Sequence, residues 1–188
     1  MQAVSDEQLI AWVAKGDASC LGTLFERHHR SLYQYCRQLT QHDAHAEDLV
    51  QEVFLKILRK AGSFRGQGSF KAWMFNVARN LTFDHLRAAK RRGGAQPMEA
   101  TGEHLVDHRS AEQVAAGIQD VGTLQRALAK LPANVQEVIW LGRFEFDSYE
   151  ELGLALGCKS ATARVRMHRA MQQLTEEFAS INGAATHV

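Results

Sequence analysis

Between residues 56 and 92 the chain carries 10 lysines and arginines against one acid, Asp84, with Phe64, Trp73, Phe75 and Phe83 set among them. Cations at this density attract a phosphate backbone, and aromatic rings can stack on unpaired bases, so the pair is suited to gripping a single nucleic-acid strand. Phe64 and Arg65 fall in a glycine-broken segment. Lys71, Asn76, Arg79, Asn80, Asp84, Arg87 and Lys90 fall on the polar face of the helix expected after it. Trp73 shares an apolar stripe with Met74 and Val77, which leaves it open to a core role or a DNA contact. Phe75 and Phe83 fall off that stripe and are less readily explained as core. A second group, Thr162, Arg164, Arg166, His168 and Arg169, lies in the first half of a later helix. Arginine can donate two hydrogen bonds to guanine O6 and N7, and the start of a recognition helix is what enters a major groove. The competing reading of both groups is a solvated helix face.

Catalytic constellations are missing from the pattern. There is no HExxH, Walker loop or nucleophile elbow, and Gly66 and Gly68 follow no strand and lack a third glycine. His28 and His29, His42 and His45, and Cys20, Cys36 and Cys158 do not reach the usual metal-ligand spacings. The expectation is a protein that is not an enzyme, with no cofactor and no metal.

Taken as a total, the formal charge of +1 argues against a nucleic-acid partner. Along the chain, however, residues 1–55 carry −4, residues 56–92 carry +9, residues 93–121 carry −4 and residues 122–188 carry 0. Distribution, not total, governs attraction to a polyanion. No apolar run approaches the roughly 18 residues of a membrane span. The start, Met1 to Leu9, has no basic segment leading into an apolar one, so no secretion signal is expected. Three dispersed cysteines fit a reducing compartment, and the expected location is cytoplasmic.

Helical periods position these residues. Ser5 and Gln8 form a capping box ahead of Leu9, Ile10, Trp12 and Val13. Residues 18–39 recur at threes and fours through Leu21, Leu24, Phe25, His28, Leu32, Tyr35, Cys36 and Leu39. Asp43 can cap a third helix to about Lys60, and a fourth runs from Phe70 to Lys90. Residues 93–118 lack a sustained period and read as a flexible acidic linker, with a partly ordered stretch possible around Ala111–Ile118. The period returns from Gly122, stops at Pro132, resumes, and breaks again around Gly142–Phe146. Ser148 and Glu151 then cap a short helix, and the turn at Gly157 leads into a longer basic one, a helix-turn-helix pattern. The expected fold is all-α, with two small helical domains joined by a flexible linker. The first spans residues 1–92, the linker 93–121, the second 122–180, and a tail 181–188.

The stretches from Asp43 to Lys56 and from Phe64 to Arg87 closely resemble conserved region 2 of bacterial extracytoplasmic-function sigma factors. Leu128 to Pro132, Ser148 to Gly157 and Arg164 to Ala170 resemble their region 4. The resemblance implies a promoter-specificity subunit that binds core RNA polymerase, recognises a two-part promoter and promotes melting. By the same resemblance Asp48, Gln51 and Glu52 would dock on the polymerase clamp helices. The residues from Phe64 to Asp84, with Arg87, would hold the melted −10 element. Lys159, Ser160, Thr162, Arg164, Arg166, His168 and Arg169 would read the duplex −35 element. A cognate anti-sigma factor, often membrane-anchored, is a further implied partner, and the chain itself would not insert into a membrane. Departures from the family pattern at Gln136, over Lys159–Ala163 and at Val165 leave the −35 sequence preference open. Two other classes stay in view: a stand-alone helix-turn-helix regulator, and an interaction module gripping an acidic partner.

Overall fold

Ser5 opens the first helix, α1 (Asp6–Ala14), with both halves of a capping box. Its side chain accepts from Gln8 N, and the Gln8 side chain accepts from Ser5 N. A computed structural model describes residues 4–66, 68–93 and 111–185, and among them every regular element is helical. α2 (Ser19–Thr40) buries Leu24, His28, Leu32, Tyr35, Cys36 and Leu39, one continuous stripe at helical spacing. It stops at Gln41, which adopts a left-handed conformation (φ 55°) and turns the chain into α3 (Asp43–Lys60). Asp43 is not the cap expected from the sequence. It is the first helical residue, and its carboxylate instead receives the Tyr33 hydroxyl and the Arg37 guanidinium. His28 bonds Asp6 at 2.6 Å and is packed, as its place in the stripe implied.

A short 3-10 turn (Ala61–Ser63) and a loop lead to α4 (Phe70–Arg91), whose start is capped by Ser69 accepting from Ala72 N at 3.2 Å. Phe75 overturns its sequence reading: it is fully buried, edge-on to Tyr35 at 5.4 Å and to Phe146 at 5.7 Å. The helix is covered on two sides, by α2 and by the second half of the chain, so its buried surface is wider than one stripe.

The second half begins with α5 (Ala111–Lys130), which starts inside the segment expected to be linker. Residues 94–110 and 186–188, the rest of that linker and the end of the tail, lie outside the described residues. α6 (Ala133–Trp140) follows Pro132 and runs into a π-helical turn (Leu141–Glu145), closed by Phe146 N donating to Leu141 O at 2.9 Å. α7 (Tyr149–Ala155) is capped by Ser148, and α8 (Ser160–Ala185) is the long last helix. Two glycines shape the α7–α8 turn. Gly157 takes φ +64°, and at Gly153 a Cβ would lie 2.7 Å from Cys158 O, so the backbones can approach this closely only without a side chain. α5, α6 and α7 pack around α8, and this unit docks on the first through α4–α7 and α2–α6 contacts.

Candidate nucleic-acid interface

The loop before α4 carries Phe64 and the exposed Arg65, with Gly66 and Gly68 at positive φ. Phe64, Phe70 and Trp73 form one aromatic cluster. Phe64 lies 5.5 Å from Trp73 and 6.3 Å from Phe70, and Phe70 lies 6.1 Å from Trp73. Phe70 is fully buried, whereas Phe64 and Trp73 are half-buried, so the cluster is rooted in the core and presents two partly open rings. Such rings offer a face on which a base can stack. Asn80, Asp84 and Arg87 line the exposed continuation of α4, where Arg87 pairs with Asp84 one turn away.

Three polar residues of the same face are already engaged by the second unit. Lys71 Nζ lies 2.8 Å from Glu145 Oε2, donates to Glu145 O at 2.8 Å, and sits 5.3 Å from the centroid of the Phe146 ring. Asn76 Nδ2 donates to the carbonyls of Leu154 (3.3 Å) and Ala155 (3.2 Å). Arg79 Nε donates to Glu137 Oε2 at 3.2 Å, and its guanidinium lies 5.3 Å from the centre of the Phe83 ring. Glu137 is 1% exposed, and its other oxygen accepts from the buried Tyr35 hydroxyl at 2.8 Å. Burial raises the Glu137 carboxyl above its ordinary range, against the opposing pull of Arg79 and Tyr35. The engagement of Lys71, Asn76 and Arg79 was not legible from α4 alone, because its partners come from α6, the π-helical turn and α7.

At the start of α8, Lys159, Thr162, Arg164, Arg166, His168 and Arg169 are exposed and Ser160 is half-buried. Ala163, Met167, Ala170 and Leu174 are the buried side that fixes the helix on its unit. The Arg164 guanidinium lies 5.3 Å from the centre of the Tyr149 ring at the beginning of α7, a contact the sequence reading did not include. Stacking of this kind holds an arginine's donors in place.

α3 presents a third surface. Asp48, Gln51 and Glu52 are exposed, while Ala46, Leu49, Val50, Val53, Phe54 and Ile57 are buried. Leu55 and Leu58 extend the exposed side and remain 53% and 40% accessible. Leu55 and Leu58 lie one turn apart, and their spacing of four and seven residues from Gln51, readable in the sequence, puts them on its side of the helix. His42, His45 and His85 cluster with ring centres 4.2 and 4.7 Å apart, the first two stacked at 29°, and among the described residues no group of three His, Cys, Asp or Glu is placed to hold a metal ion.

Comparison with known proteins agrees with this arrangement. A family model described as Sigma-70 region 2 matches residues 24–92, and one described as Sigma-70, region 4 matches residues 122–174. The chain is similar to the RNA polymerase sigma-H factor of Pseudomonas aeruginosa, at 28% identity over 176 residues, 90% of this chain and 91% of that protein. It is also similar to the ECF RNA polymerase sigma factor SigE of Mycolicibacterium smegmatis, at 32% identity over 173 residues, 88% of this chain and 65% of that protein. Among solved structures, the sigma factor RpoE of Bartonella quintana, crystallised with the anti-sigma factor NepR, matches with a TM-score of 0.65 and 28% identity, covering 84% of this chain and 96% of that one. With both regions present in order, together spanning more than half of its length, the chain belongs to the sigma-70 family, in its extracytoplasmic-function group.

Proposed function

We propose that the chain is a promoter-specificity subunit, not an enzyme, that binds core RNA polymerase and promoter DNA and directs initiation. Residues 1–92 form the unit for polymerase and the downstream element, and residues 122–180 the unit for the upstream element. The family matches support that division. The single observation that carries the reading is the coexistence, on one chain, of two different DNA grips. One is an aromatic and cationic face on α4 suited to an opened strand, and the other is an exposed arginine-rich start of α8 behind a glycine turn, suited to a major groove.

In this reading Phe64, Arg65, Lys71, Trp73, Asn76, Arg79, Asn80, Asp84 and Arg87 hold the −10 element as it melts. Phe64 and Trp73 would supply stacking for an extruded base and the cations would track its backbone. Lys159, Ser160, Thr162, Arg164, Arg166, His168 and Arg169 read or position the −35 element. Asp48, Gln51 and Glu52, with Leu55 and Leu58, dock on the polymerase. A relative crystallised with an anti-sigma factor supports an inhibitor of that class as a partner here, and a membrane-anchored inhibitor acting on a cytoplasmic chain fits the set. Among the described residues no helix is long and apolar enough to cross a membrane.

The two grips should respond differently to substitution. In open-complex assays with core polymerase, Arg87→Ala should weaken binding evenly across promoter sequences and lower the slope of log affinity against log salt by about 1. Arg166→Ala should cost about 1–3 kcal/mol chiefly on promoters carrying its preferred upstream base. An equal loss on every upstream sequence would assign Arg166 to phosphate and move base reading to its neighbours.

A further inference from the structure

We infer that His42, His45 and His85 form an acid-responsive joint between α3 and α4. Acid loosens the start of α3 there and weakens its docking on polymerase. This rests on the function proposed above and concerns the regulation of its docking surface. His42 and His45 come from the start of α3 and His85 from the C-terminal part of α4, so only the packing of the two helices brings them together. The rings lie in series. His42 and His45 are 4.2 Å apart between centres, stacked at 29°, and His45 and His85 are 4.7 Å apart. His45 is the middle ring and is half-buried, whereas His42 is exposed. Neutral imidazoles stack at such distances, but a second proton in the series sets two like charges side by side.

Every element around the middle ring bears on its charge. From α3, His45 faces His42 and Asp48; from α4 it faces His85 and Arg92, the residue that ends the helix. α2 contributes Tyr33 and Arg37, which pair with Asp43 beside His42. Burial, then His42, His85 and Arg92, oppose a proton on His45, while Asp48 favours it, and the His45 pKa is lowered from the ordinary 6.5. The helix adds to the cost. His45 lies in the first turn of α3, where the helix dipole is positive, and the His42 side chain makes no capping bond. Above pH 6.5 the ring is neutral in the folded and the unfolded chain. Below it the unfolded chain takes up a proton that the folded joint resists, so stability falls with pH until the folded ring titrates too. Asp48 lies one turn along α3 from His45 and belongs to the surface assigned to polymerase. A protonated His45 attracts that carboxylate while the start of α3 loosens from α4, so acid acts on docking through both charge and frame.

The test uses the full-length chain as wild type, His45→Gln and His29→Gln. Binding to purified core polymerase is measured at about pH 7.5 and about pH 5.5, on either side of the histidine range. His45→Gln keeps a polar side chain in the joint that cannot take a proton. His29→Gln removes an exposed histidine of α2 that lies outside the cluster. All three chains should bind alike at the higher pH. At the lower one, wild type and His29→Gln should lose on the order of fivefold more affinity than His45→Gln. Urea midpoints of the free chains should follow the same order, with His45→Gln falling least on acidification. NMR titration of the wild-type His45 ring should place its midpoint below 6.5, a reading that needs no variant. An equal acid loss of polymerase affinity in wild type and His45→Gln would overturn the joint, and so would a His45 midpoint at or above 6.5. Absence of polymerase binding by all three chains at both pH values would instead defeat the function proposed above. The urea midpoints and the NMR titration, read without polymerase, would still decide whether the joint responds to acid.

Discussion

Phe70→Ala should lower the unfolding free energy of the chain by about 3–5 kcal/mol and weaken strand binding at temperatures where the variant stays folded. The ring is fully buried and touches three other rings: His28 at 5.6 Å between centres, Phe64 and Trp73. Removing it leaves a cavity at the start of α4 that neighbours can fill only in part, because the backbone there is held by Ser69 and by the Phe70 amide donating to Glu7 Oε1 at 3.0 Å. That amide is the largest influence lowering the Glu7 pKa, and because the donor is backbone, Phe70→Ala retains it. Phe64 and Trp73 lose the surface that fixes their angle, and a loosened stacking platform must be re-ordered at each binding event. Urea unfolding measures the first effect and strand affinity the second. Phe70→Leu should recover more stability than strand binding, because it restores volume without a flat surface. A Phe70→Ala loss below about 1 kcal/mol would show that the cluster is not rooted in the core.

Leu55→Asp should leave folding unchanged and remove polymerase assembly, with an expected cost of about 2 kcal/mol or more, roughly thirtyfold in affinity. Leu55 is half exposed, so its replacement creates no cavity, yet it sits beside Gln51 and Glu52 on the open side of α3. An aspartate there adds a charge to a carboxylate-rimmed apolar patch, and a partner surface that covers it would bury that charge unpaired. Leu58→Asp should act in the same direction. Equal polymerase affinity for wild type and Leu55→Asp would move the docking surface off this face of α3.

Much of the architecture was legible because it is local. The Ser5 and Ser148 caps, the α2 stripe and the glycine turn before α8 are written within a few residues of the elements they shape, and the structure shows each of them. Asp43 was misplaced because an acid beside a helix start can serve as cap or as ion-pair partner, and Tyr33 and Arg37 lie a turn or more away on the preceding helix. Phe75 was misread because the helix period identifies one buried stripe, whereas α4 meets a second partner in the docked unit. Glu137 and Glu145 carried no sequence signal of their own. Their neighbours Val138, Ile139 and Phe146 explain a core, but that the acids face Arg79, Tyr35 and Lys71 depends on how two units distant along the chain meet. The α4 and α8 cations were found from charge and spacing, while the engagement of Lys71 by Glu145 and of Arg79 by Glu137 was not.

The central claim is that this chain confers promoter selection on RNA polymerase. The most direct measurement is transcription by purified core polymerase on a promoter library, with and without the full-length chain, followed by sequencing of the transcript starts. New starts that appear only with the chain and share an upstream and a downstream element are the predicted result. Transcription that is the same with and without the chain, at saturating protein, would contradict it.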